Sequence, residues 1–181
     1  MAELKIENIV FSANLAEKFD VKYLSKQFIN SKYNLDEFSG LILDFDNPKC
    51  AVFLFTNGKI RCTGIKKIDD IEIIINRIIN DIEKYEITLF DDIPIDIENI
   101  VASSDLEKNL DLDYIKGNIE FENIAYNENE FPGLTLNIPN FEINAIIFKS
   151  GKIVFTGANE LEYIKKALKI LKESLVNIGI L

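Results

Sequence analysis

The spacing of apolar residues along this chain changes several times, and each change marks an element. From Leu4 to Ala13 and from Ile95 to Ser103, apolar and polar residues alternate, as in a strand with one buried face. A short segment of helical character follows each, Val21 to Asn30 and Leu112 to Ile119. Four strand candidates come next in quick succession: Lys32 to Glu37, Leu41 to Phe45, Cys50 to Thr56 and Lys59 to Ile65, with counterparts between Glu122 and Gly157. Asn57-Gly58 and Ser150-Gly151 are hairpin-turn pairs, and Asn47-Pro48 marks a further turn. The period then widens to three and four. Ile71, Ile74, Ile75, Ile78, Ile79 and Ile82 form one stripe, and Leu161, Ile164, Ala167, Leu168, Leu171 and Leu175 form another. Asp69, with Glu72 three residues on, predicts a capping box at the start of the first long helix.

The order strand, helix, four strands, helix occurs twice because the sequence itself does. EFSGLILDFDNPKCAVFLFTNGKIRCTG, from Glu37 to Gly64, recurs as EFPGLTLNIPNFEINAIIFKSGKIVFTG, from Glu130 to Gly157, at a constant offset of 93. Glu7-Asn8-Ile9-Val10 matches Glu98-Asn99-Ile100-Val101 at an offset of 91. The chain reads as a tandem duplication, residues 1–90 and 91–181, with a junction near Asp91 to Pro94. A period near 90 residues is too long for a solenoid unit and suits two halves of one domain related by a pseudo-twofold. The predicted class is α+β, an antiparallel sheet with helices on one face.

An antiparallel sheet covered on one side should alternate apolar and polar residues. The central strands break that rule: Ala51-Val52-Phe53-Leu54-Phe55 and Ala145-Ile146-Ile147-Phe148 are apolar at successive positions. Four helices cover one face of a ten-stranded sheet, so the second apolar face is left for a partner, or for a loop or a second copy of the chain.

Composition narrows the chemistry. There is no His, and Cys50 and Cys62 alone cannot supply a usual zinc set; both are expected to be reduced and buried, in the cytoplasm. No metal or cofactor is expected. The opening residues predict no signal peptide, and no run of 18 apolar residues predicts a membrane span. With no Cys-based dyad and no Gly-rich phosphate loop, an enzyme is not expected. Asp69-Asp70 and Asp91-Asp92 read as a helix start and a polar linker rather than as catalytic pairs. A net charge of −10 argues at first against nucleic acid.

The order of the residues argues the other way. Phe38 and Phe55 in the first half match Phe131 and Phe148 in the second. Core packing is the ordinary role of one Phe, but two repeated pairs look like wedges, which minor-groove proteins insert between base steps to kink a duplex. Asn8 and Asn99 stand on the first strand of each half, on the side of Val10 and Val101. A carboxamide there can donate to adenine N3 and thymine O2, the acceptors an A·T pair shows in the minor groove.

At these residues the sequence resembles the TATA-box-binding protein family over essentially its whole length, in an archaeal-type form. The carrying motifs are Asn-Ile-Val at Asn8 and Asn99, the EFSGL and EFPGL corners, the FTNGKIRCTG and FKSGKIVFTG hairpins, and the direct repeat. The resemblance implies a pseudo-twofold saddle: a ten-stranded antiparallel sheet gripping the minor groove of double-stranded DNA, with four helices on the convex face. It implies a general transcription initiation factor acting on TATA elements in the archaeal nucleoid, with transcription factor B and RNA polymerase as partners; whether the free chain forms a homodimer through its apolar face is left open by the sequence. Phe38, Phe55, Phe131 and Phe148 would be the wedges and Asn8 and Asn99 the central pair. Val10, Val101, Phe53, Ile146, Thr63, Thr156 and Val154 would line the groove, flanked by Lys59 and Lys152. Glu128 and Glu130, before Phe131, fall at the corner that the family presents to transcription factor B.

The departures thin the cationic set. Asp44 and Asn137 stand where the family usually has a basic residue, and Glu142 and Asn159 replace lysines that the first half keeps as Lys49 and Lys66. The first half has 12 basic and 14 acidic residues, the second 8 and 16. A competing reading follows, a paralogue that binds DNA weakly alone and acts mainly through proteins. Arg61 has two possible registers. A three-residue loop that counts Lys59 sets Arg61 opposite Phe55 on the DNA side, whereas a two-residue loop turns it toward the helices. The family register favours the first.

Overall fold

A computed structural model describes residues 3–29, 31–33 and 40–181. The chain divides into two compact units, Asn8–Glu98 and Asn99–Leu181, the latter together with the first seven residues.

In the first unit, the strands are β1 (Lys5–Asn14), β2 (Ser31–Lys32), β3 (Gly40–Asp46), β4 (Lys49–Phe55) and β5 (Lys59–Ile65), in the order β2-β3-β4-β5-β1. All four pairings are antiparallel. The helices are α1 (Val21–Gln27) and α2 (Asp70–Ile82). Along β4 the even residues Cys50, Val52 and Leu54 are buried, while Ala51, Phe53 and Phe55 are half-exposed. In the isoleucine stripe of α2, Ile71, Ile74, Ile75, Ile78 and Ile82 are buried as well and Ile79 is half-buried. Arg77 of α2 reaches back to the sheet, its guanidinium 4.0 Å over the Phe45 ring and donating to the Asn47 carbonyl.

The second unit repeats this arrangement. Its strands are β6 (Ile95–Asp105), β7 (Glu122–Asn127), β8 (Phe131–Ile138), β9 (Ile143–Phe148) and β10 (Lys152–Ala158), ordered β6-β10-β9-β8-β7, with helices α3 (Leu112–Asn118) and α4 (Leu161–Asn177). Ile164, Ala167, Leu168, Leu171 and Leu175 of the α4 stripe are buried. Both cysteines are free thiols buried on the helix side of the first unit.

Several boundaries differ from the sequence reading. The capping box at Asp69 does not form. Asp69 is already in the helical region, at φ −63° and ψ −23°, and its side chain makes no cap bond. The N–H groups of Asp70 and Ile71 instead donate to the carbonyls of Lys67 and Ile68, so the preceding turn leads directly into the helix. The short helices do have side-chain caps: Asp20 accepts from the Tyr23 N–H at 2.8 Å and Asp111 from the Tyr114 N–H at 3.0 Å. Helix α1 stops at Gln27 because Phe28 turns extended, and α3 stops at Asn118. The strand expected over Lys32 to Glu37 begins as the two-residue β2, and its last four residues lie outside the described residues.

Candidate nucleic-acid interface

The half-exposed side of each unit's sheet gathers most of the residues that the sequence singled out. In the second unit, Val154 pairs with Ile146 and Ser103, and Thr135 with Ile146, while Gly133 lies opposite Phe148. Strand periodicity therefore sets Val101, Asn99, Thr156, Lys152, Ile146 and Phe148 on one face. Phe131 and Phe148 meet edge to face at the end of that face, with ring centroids 6.1 Å apart, and Phe131 is 43% exposed. Gly133 fits beneath them. A Cβ there would lie 2.7 Å from the Phe131 ring and 3.2 Å from that of Phe148.

In the first unit, Phe53, Phe55, Lys59, Arg61, Thr63, Asn8 and Val10 share the corresponding face. Phe38 lies outside the described residues. Phe53 pairs with Arg61, and Leu54 with Ile60. Neither expected register is the observed one. The three-residue loop is Thr56-Asn57-Gly58, closed by the Gly58 N–H on the Phe55 carbonyl at 3.1 Å. Phe55 therefore faces Lys59, and Arg61 sits one pair deeper, opposite Phe53. Because the loop has an odd residue count, Arg61 stays on the face of the phenylalanines.

Both asparagines are held in a defined orientation. In β5 and β10 the register shifts at Thr63-Gly64 and Thr156-Gly157, where the glycines adopt φ of +102° and +104°. Each bulge frees a glycine N–H for the asparagine carbonyl oxygen, Gly64 to Asn8 at 2.7 Å and Gly157 to Asn99 at 2.8 Å. An N–H can bond only to the oxygen, so the amide orientation follows. The Nδ2 of Asn8 donates to Thr63 Oγ1, and that of Asn99 to Thr156 Oγ1, each at 3.1 Å. One N–H of each amide remains as a donor, the group that adenine N3 or thymine O2 would accept. The repeated Thr-Gly pair was the sequence signal for this device, but only the bulge shows what the glycine does.

Two further pairs were not anticipated from sequence. Ser103 donates to Glu7 at 2.7 Å, and the equivalent Ser12 bonds Glu98. Glu98 also accepts from the Arg61 Nε at 2.6 Å and lies 3.5 Å from the Lys59 ammonium. Burial alone would raise the Glu98 carboxyl. The hydrogen bonds from Ser12 and Arg61 and the charges of Arg61 and Lys59 outweigh it and hold the group below the ordinary carboxylate range. A pocket of about 290 Å³ lined by Phe55, Asn57, Lys59, Arg61 and Glu98 opens beside this cluster. Elsewhere Lys32 is bound to Asp44 at 2.6 Å, so the acid that stands in a usual basic place is neutralised locally. Glu128 pairs with Lys149 at 2.6 Å, and the Glu130 N–H closes a turn on the Asn127 carbonyl.

Among the described residues, no group of three or more His, Cys, Asp or Glu is placed to hold a metal ion, and no helix is long and apolar enough to cross a membrane.

The chain is similar to known proteins over nearly all of its length. The family model of transcription factor TFIID, or TATA-binding protein, matches residues 3–85 and 94–178. The TATA-box-binding protein of Picrophilus torridus is 38% identical over 181 residues, covering 100% of this chain and 98% of that protein. That of Archaeoglobus fulgidus is 35% identical over 179 residues, covering 99% and 98%. The solved structure of the Methanococcus jannaschii protein superposes with a TM-score of 0.88 at 32% identity, over 97% of this chain and 99% of that one. The fold is thus the expected one, ten strands in antiparallel pairing and four α-helices among the described residues, and the chain belongs to the TATA-binding protein family, whose members are DNA-binding transcription factors and not enzymes.

Proposed function

We propose that this chain is a general transcription initiation factor that binds the minor groove of A/T-rich TATA elements, kinks the duplex with phenylalanine wedges and recruits transcription factor B and RNA polymerase. The observation that carries this reading is the repeated amide device. In each half an asparagine is fixed by a Thr hydroxyl and a Gly N–H on an apolar face, with an N–H left to donate. Such a face offers contact to sugars and base edges in a groove whose A·T pairs present acceptors alone. The Phe131–Phe148 pair supplies a wedge at one end, and Phe55 with Phe38 would supply the other. Val10, Val101, Phe53, Ile146, Val154 and the two threonines would make the apolar lining. Lys152 would approach phosphate. Glu128 and Glu130 present an acidic corner to transcription factor B.

One observation favours the second reading, a paralogue that depends on protein partners. Lys59, Arg61 and Lys32 are already engaged by acids. Bending of a fluorescently labelled TATA duplex by the purified chain, with and without transcription factor B, separates the two readings. Bending by the chain alone, lost in Phe131→Ala, Phe148→Ala, is the expected result. Bending that needs the partner selects the paralogue, and no bending in either case removes the wedge mechanism.

A further inference from the structure

The two halves carry the same device on their half-exposed faces except at one position. Arg61, opposite Phe53 and Ser12 in the first half, corresponds to Val154, opposite Ile146 and Ser103 in the second. The acids beside them correspond as well, Glu98 to Glu7, each bonded to its serine. In the first half Glu98 receives Arg61 and Lys59; in the second Glu7 lies 3.7 Å from Lys5, and the residue corresponding to Arg61 is apolar. One half thus offers a guanidinium to whatever covers its face, and the other offers an isopropyl group.

Resting on the minor-groove reading, we propose that Arg61 sets the direction in which the protein lies on an asymmetric A/T-rich site. The half carrying Arg61 takes the end with the narrower minor groove. An A-tract has a narrow groove with enhanced negative potential that attracts an inserted arginine, whereas TA steps are flexible and open easily. A guanidinium is weakly hydrated and suits transfer from a carboxylate into such a groove. Glu98 acts as its resting counterion. It holds Arg61 on the face in the free protein and gives it up when the groove competes, so it tempers the preference without abolishing it. Val154 gains from contact alone and has no reason to distinguish the two ends.

The test uses a duplex with an uninterrupted A-tract in one half of the site and alternating TA steps in the other, carrying an acceptor dye at either end. A donor dye is placed on Asn177→Cys, at the exposed end of α4; the native thiols are buried. Energy transfer then reports the ratio of the two orientations. Chain with native Arg61 is expected to favour one orientation by at least about fivefold, the low end of the cost of one ill-matched base pair. Arg61→Val should bring the ratio to within about twofold of unity, and Arg61→Val with Val154→Arg should invert it. Glu98→Gln keeps both cations and should sharpen the preference; it decides the matter if the Arg61 variants fail to melt cooperatively. Equal orientations with Arg61 present, or an unchanged ratio in Arg61→Val or Glu98→Gln, overturns the proposal while leaving minor-groove binding intact. Failure of the unsubstituted chain to bind the duplex overturns the functional reading itself, and the proposal with it.

Discussion

Gly133 tests the wedge reading without removing a wedge. A Cβ added there would lie 2.7 Å from Ile146 Cγ2 and 2.7 Å from Phe131 Cε1, against the 3.4 Å at which ordinary contact begins. The shortfall is roughly 0.7 Å, enough to turn attraction into repulsion. No positive φ is involved, so Gly133→Ala strains no backbone dihedral, and the obstructing atoms are side-chain atoms, the β-branched methyl of Ile146 and the edges of two rings. Phe131 is 43% exposed and can swing outward. Ile146 Cγ2 is a β-branched methyl that the swing does not relieve, so the cost to folding should lie within the usual 1–3 kcal/mol of overpacking, about 1 kcal/mol or more. Bending should be weakened in addition, because the displaced ring no longer stands edge to face on Phe148. A loss of roughly tenfold in affinity for a bent duplex, about 1.4 kcal/mol, is expected. Urea unfolding measures the first quantity and fluorescence-detected bending the second. Unchanged bending in Gly133→Ala would show that the ring arrangement is not what deforms DNA, and a folding loss above 3 kcal/mol would show that the glycine is structural.

The remaining predictions concern the frame and the charges. At Gly58 a Cβ would come 1.8 Å from the Ala16 carbonyl oxygen at a φ of +78°, so Gly58→Ala should cost at least about 2 kcal/mol in urea unfolding. The Glu98 carboxyl titrates lower in the folded chain than the ordinary value of about 4.3, so its contribution is fully present above that value and is lost as pH falls through the lower folded value. The stability gap between the native chain and Glu98→Gln should accordingly shrink as the solution is acidified below about pH 4. The hydrogen bond from the Cys62 thiol lowers Cys50, while that bond and burial push Cys62 up, so mass-spectrometric thiol labelling should modify Cys50 first and both slowly in the folded state. With three cations, Lys59, Arg61 and Lys152, assigned to the proposed DNA face, log K against log salt should slope only about −3; a slope near −8 would contradict this count.

The repeat made most of the fold legible. Two copies of one pattern checked each other, and the loss of apolar–polar alternation in β4 and β9 pointed to a sheet with two apolar faces. What the sequence concealed was register. A hairpin loop that gains or loses one residue reverses every side chain, and nothing in Asn57-Gly58 specifies that Thr56 belongs to the loop. Arg61 therefore could not be paired correctly from sequence, although its face could. The Asp69 cap failed for a related reason: a cap motif is read locally, while the carbonyls of Lys67 and Ile68 were already placed to satisfy the helix N–H groups. Glu98 was hidden because its partners lie 37 and 86 residues away in sequence, and only strand pairing brings Arg61 and Ser12 within its reach.

The minor groove presents the same two acceptors for A·T and T·A, so a protein with two identical faces would gain nothing by binding in one direction. Repetition in this chain is tightest where direction is irrelevant. The Asn8–Thr63–Gly64 and Asn99–Thr156–Gly157 sets agree to within 0.1 Å in their main bonds. Divergence falls beside them, at Arg61 and Val154, and in the cations beside two acids that otherwise correspond, Arg61 and Lys59 at Glu98 and Lys5 at Glu7. A charge confined to one half changes the interaction with a groove of uneven width, whereas the same charge in both halves would change affinity alone. On the proposed reading Glu98 is not left bare when Arg61 moves into the groove, because the Lys59 ammonium, 3.5 Å away, remains beside it.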